Sequence, residues 1–204
     1  MAGEMNKKSF IKSGEGAIAS YNWQDIADGT GYNVLYITGD SAGHKIVNKP
    51  FFSNEGNEII FIPNVVGEHI LNLDLTAFNS PRIAEGIAYL SFIDKVNIGV
   101  SGELTLSFEF FKVSGAVVTS ISNVVSKNYT ETAEAKRNLM TPTIERTKFG
   151  VGDILRLKIK VDVVTNAGWR VGTNTLGDAD DQTIPKEDYP TVPFELNIPF
   201  KIEI

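Results

Sequence analysis

Along the chain, apolar residues alternate with polar ones or gather in short blocks, and Gly, Asn, Ser and Pro punctuate the blocks. A period of two marks a strand with one dry face and one wet face. In Glu103 to Val113, ELTLSFEFFKV, the residues Leu104, Leu106, Phe108 and Phe110 fall on one face, and Thr105, Ser107 and Glu109 on the other. In Ile154 to Val164, Leu155, Leu157, Ile159, Val161 and Val163 oppose Arg156, Lys158, Lys160 and Asp162. Half-buried strands of this kind belong to antiparallel sheets, because strands of a parallel sheet are apolar on both faces.

Weaker segments predict strands near 17–22, 32–38, 58–62, 69–75, 87–93, 116–125 and 143–147, and a last one over 194–204. Pro199 has no N–H to give to a ladder, so the last strand is expected at a sheet edge, or bulged there. Residues 129–140, YTETAEAKRNLM, have the composition of a short helix or of a polar connecting loop, and Thr141-Pro142 stops any helix. The polar stretches 38–50 and 165–190 are expected to be long surface loops. The expected fold is all-β: an antiparallel, jelly-roll-like β-sandwich with at most one short helix. It is expected to form a single domain over 16–204, preceded by an N-terminal arm over 1–15.

Composition narrows the function classes. The chain has 204 residues, 19 of them basic and 25 acidic, for a net charge of −6. That balance opposes a non-specific nucleic-acid binder, which displaces counterions with a basic stripe, and opposes docking on anionic lipid. No apolar run reaches the ~18 residues that span a bilayer, and the first residues lack the apolar block of a secretory signal. With no cysteine in the chain, thiolate chemistry and Cys-ligated metals are excluded. Phe supplies 12 of the aromatics and suits a core that asks for no hydrogen-bond partner.

The candidate chemistry is sparse. His44 and His69 are the two histidines, with no paired spacing, and no serine sits in a Gly-x-Ser-x-Gly elbow. Glu103, Glu109 and Asp162 are carboxylates on strand polar faces; a pair of them across a cleft would serve glycoside hydrolysis, and a solvated face is the plainer account. Asp178, Asp180 and Asp181 crowd one turn, GDADDQ, where a calcium ion would find oxygen ligands or water would solvate the charges. Trp169, beside Arg170 in a polar stretch, is either an exposed contact anchor or a buried plug. No catalytic residue, cofactor or metal is assigned. Trp169, Arg170, Asp178, Asp180 and Asp181 are the candidate interface or ligand contacts.

Residues 12–39, KSGEGAIASYNWQDIADGTGYNVLYITG, resemble the opening of small proteins encoded among tailed-phage structural genes. The likeness runs through Ser13, Gly14, Gly16, Ile18, Ser20, Tyr21, Trp23, Asp25, Ile26, Ala27, Gly29, Thr30 and Gly31. GDILRLKIKV (152–161) and IPFKIEI (198–204) are similar to the middle and end of the same proteins. The resemblance implies a non-enzymatic virion structural protein, assembled in the host cytoplasm. Such a protein makes head-associated contacts with other virion proteins and with copies of itself. Its arm and the 165–190 stretch would be the contact segments. A carbohydrate-binding or host-recognition module built on Trp169 and the acidic turn is the alternative, and a hydrolase on the same fold is a third.

Overall fold

The structure is a computed structural model, and it describes residues 9–11, 18–20, 32–40, 43–48, 59–62, 65–131, 133–172 and 194–202. No helix occurs among them. The strands are β1 (Ser9–Ile11), β2 (Ile18–Ser20), β3 (Tyr32–Asp40), β4 (Gly43–Val47), β5 (Ile59–Ile62), β6 (Gly67–Asp74), β7 (Arg82–Ile87), β8 (Tyr89–Ser114), β9 (Val117–Ser120), β10 (Val125–Tyr129), β11 (Ala133–Met140), β12 (Thr143–Phe149), β13 (Ile154–Gly172) and β14 (Glu195–Ile202). The pairings between these strands are antiparallel, as the one-sided hydrophobic pattern requires.

Two layers of sheet face each other. One runs from β4 through β3 and β14 to β7 and the start of β8, and on to β11 and β12. The other holds the second half of β8 between β13 and the β9 and β10 strands, with β6 beyond β13. Paired with β13 along both of its halves, the strand β8, 26 residues long, takes part in both layers. Phe92 and Phe108 are sixteen positions apart on it, yet their ring centroids lie 5.3 Å apart. A straight strand at about 3.3 Å per residue would hold them roughly 50 Å apart. The strand therefore doubles over and lays its two halves on opposite sides of one core, which is the expected antiparallel sandwich. Phe194 completes the cluster at 4.9 Å from Phe92. A second aromatic group, Phe78, Phe149 and Phe200, closes one end of the core with centroids 5.0 to 6.2 Å apart.

Four expectations change. Residues 133–140 are a strand, since β8 offers a ladder from Ala133↔Val96 to Met140↔Leu90 and these tertiary partners outweigh a weak helix propensity. The expected loop 38–50 contains β4, which pairs with β3 from Tyr36↔Val47 to Asp40↔Gly43. The expected loop 165–190 begins as strand, because β13 continues to Gly172 between β8 and β5. Pro199 lies inside the sheet and not at its edge. Its strand β14 has β3 on one side and β8 then β7 on the other. The bulge is real, however. Pairing passes from Asn197↔Tyr89 to Phe200↔Ala84, so the register slips where the missing N–H would have pointed. Gly86 takes up the slack at φ 118°, and a Cβ there would meet the Pro199 ring at 3.7 Å.

Candidate functional site

Two places gather polar chemistry. The first is a buried carboxylate. The row Leu90, Phe92, Asp94, Val96 on β8 points inward, so Asp94 enters the core and is 1% exposed. Its Oδ2 accepts the Tyr129 hydroxyl at 2.6 Å and the Trp169 indole N–H at 2.9 Å, and its Oδ1 accepts the Asn138 amide at 2.5 Å. Lys127 donates to the Asn138 carbonyl and lies over the Tyr129 ring, 4.6 Å from its centroid. Burial pushes the Asp94 carboxyl above its ordinary range, while the three donors and the Lys127 charge pull the other way. The Tyr129 hydroxyl is pushed upward by burial and by the neighbouring carboxylate, and stays protonated. Each donor comes from a different strand (β10, β11 and β13), so one carboxylate ties three strands to β8. This sealed arrangement is suited to holding the layers together.

The second is a groove of about 980 Å³ beside the first half of β3, lined by residues of β3, the end of β4, the β6–β7 connection, β7 and β14. Its floor is aromatic. Phe78 is 8% exposed and packs on Phe149 and Phe200. The connection is fixed by backbone bonds: Leu75 N–H to Leu155 O at 2.9 Å, Phe78 N–H to Asp153 O at 2.9 Å, and Gly152 N–H to Phe78 O at 2.8 Å. Asp153 is itself held by Lys112 at 2.9 Å and by the Gly150 N–H at 2.6 Å, contacts that bring its carboxyl down to about 2. On this platform Arg82 sets its guanidinium 5.9 Å from the Phe78 centroid, and Tyr32 stands 46% exposed at the rim.

The residues singled out from sequence meet different fates. Trp169 is fully buried, a plug donating to Asp94, which removes it as a sugar platform. Arg170 is set by register opposite Lys95 and Phe61. Asp178, Asp180 and Asp181 lie outside the described residues, as do Trp23 and most of the expected arm. Glu109 accepts the Ser120 hydroxyl at 2.5 Å, Asp162 stands opposite Thr105, and His69 places its Nε2 2.9 Å from the Val65 carbonyl. Among the described residues no three His, Cys, Asp or Glu gather as a metal site would need. Asp94 and Arg82 escaped notice. A carboxylate in the inward register of an apolar strand was the available signal for Asp94, and Arg82 gave none, because its setting depends on segments far apart in sequence.

No family model matches the sequence, and no curated protein matches it. Solved structures do. An α-amino acid ester hydrolase is similar over 84% of this chain and 36% of its own, at 10% identity and a TM-score of 0.55. An aminopeptidase from a marine sediment Thaumarchaeota archaeon is similar over 94% of this chain and 40% of its own, at 11% identity and a TM-score of 0.54. A CocE/NonD family hydrolase from Staphylococcus aureus covers 91% and 39%, at 10% identity and a TM-score of 0.51. At such identity the likeness establishes a shared fold alone, and the chain spans well under half the length of each. These neighbours overturn the expectation of a non-enzymatic virion component, and with it the exclusion of enzymatic work: the sandwich is one that hydrolases carry. Fold does not fix function, and residues 12–39, which carry most of the phage-like pattern, lie largely outside the described residues.

Proposed function

We propose that this chain is the β-sandwich module of a hydrolytic enzyme, working beside a catalytic unit that cleaves ester or amide bonds. The observation that carries this reading is the coverage. Nearly the whole chain, 84 to 94% of it, is similar to about two fifths of each of three hydrolases. A unit that corresponds to part of a hydrolase is most simply such a part. The described chemistry is in keeping with the reading. The buried Asp94 knot and the doubled β8 give a stiff body, and the groove beside Phe78 offers a wall with polar groups on an apolar floor, the usual make-up of a small-molecule site.

The test is to tag the chain in its source cells, purify the assembly that holds it, and assay α-amino acid p-nitrophenyl esters and aminoacyl p-nitroanilides. Hydrolysis that travels with the tagged chain, and falls when the chain is depleted, is the expected result. An assembly without hydrolytic activity overturns the proposal. So does full turnover by the isolated chain, which would make it a complete hydrolase in itself.

A further inference from the structure

We propose that the groove beside Phe78 binds an N-acylated amino acid through its free carboxylate, with Arg82 as the charge partner. This goes beyond the hydrolase reading and does not rest on it. Three observations meet in one place. The first is charge. Arg82 is half-buried against the Phe78 ring, and no carboxylate pairs with it among the described residues. A guanidinium presents a planar fork that matches a carboxylate with two parallel hydrogen bonds, and an aromatic face behind it holds the plane in position.

The second is backbone. The Ile37 N–H donates to Phe194 O on the β14 side at 3.1 Å. Backbone groups alternate sides along an antiparallel strand, so Leu35 and Asn33 also face β14, while Tyr36 and Val34 face the other way. There β4 covers Tyr36 through Val47 and pairs no further along β3. The N–H and C=O of Val34 are left facing the groove with no partner strand among the described residues. An amide in a ligand can pair with them as an added strand would.

The third is shape. Phe78 and Leu75 give an apolar floor, and Tyr32 and Asn79 stand at the rim. The volume, about 980 Å³, accommodates a small organic molecule. A carboxylate for Arg82, a neighbouring amide for the β3 edge and an apolar acyl group for the floor together describe an N-acyl amino acid.

The experiment is a titration of the full chain with N-benzoylglycine and with its primary amide, by calorimetry and by amide chemical shifts. The carboxylate is expected to bind about tenfold or more tightly than the amide, since a charge-assisted pair is worth at least that. Shift changes are expected at Val34, Phe78, Asn79 and Arg82. Arg82→Gln is expected to bring the acid down to the affinity of the amide, with an unchanged circular dichroism spectrum. Equal affinity for the two ligands overturns the proposal, as do shift changes centred elsewhere or an Arg82→Gln variant that binds the acid as before. The ligand comparison and the shift map need only the unaltered chain, so they decide the matter even if the variant does not fold. They also need no hydrolysis, so their outcome is separate from that of the catalytic reading.

Discussion

Asp94 shows what a single residue can demand of a fold. A carboxylate in the core is costly unless its oxygens are hydrogen-bonded and its charge is offset. Here Tyr129, Trp169 and Asn138 supply the donors, and Lys127 supplies the charge through Asn138. Burial still leaves the carboxyl easier to protonate than in the unfolded chain. A group whose folded pKa is raised favours folding most below its unfolded pKa, about 4, and that contribution is lost as pH rises through the folded value. Asp153 has the opposite sign. Its depressed carboxyl favours folding above about 4, and that contribution is lost as pH falls toward 2. The two windows do not overlap. Asp94→Asn is therefore expected to flatten the decline in stability from pH 4 upward while leaving the acid limb in place. Urea midpoints measured across that range check this, and a variant whose slope above pH 4 equals that of the original chain refutes it.

At the scale of the element, β14 shows how a sheet admits a proline in its interior. The strand needs partners on both sides, and Pro199 cannot donate to either. The slip between Asn197↔Tyr89 and Phe200↔Ala84 removes the need, and Gly86 provides the backbone conformation at the slip. At φ 118° an L side chain is strained whatever the space around it. Gly86→Ala is expected to cost about 1–3 kcal/mol of stability by denaturant titration, through the backbone strain alone. A cost near zero would mean that the slip is not as described. The sequence did announce an irregularity here, through Pro199. It did not say whether the strand would be an edge or a bulged interior strand, because that depends on what lies on either side. The β11 strand teaches the converse. Ala, Glu and Lys in residues 133–140 suggest helix or loop, and only the ladder offered by β8 makes them a strand.

At the scale of the molecule, the doubling of β8 sets the core. Phe92, Phe108 and Phe194 meet between its two halves, and all three are fully buried. Phe108→Ala is expected to cost about 3–5 kcal/mol through lost burial and the cavity left behind. Thermal and urea unfolding measure it. A cost below about 1 kcal/mol, the scale of surface changes, would show that the two halves of β8 do not share a core. The same scale explains the failed virion expectation. The features that suggested it were a residue pattern over 12–39 and two strand segments, 152–161 and 198–204, that belong to the sandwich itself. They carry no information on what the sandwich is attached to.

The amino-acid sequence by itself determined the class of fold and most of the inward rows. Leu104, Leu106, Phe108 and Phe110, like Leu155, Leu157, Ile159, Val161 and Val163, are buried as their alternation requires, because the period of a strand is written into neighbouring residues. Tertiary structure alone decided that Trp169 plugs the core beneath Asp94, that β8 serves both layers, and that Arg82 lines one groove with β3. Those facts depend on contacts between segments tens of residues apart, and a local pattern of apolar and polar positions does not record which distant segment will supply the partner.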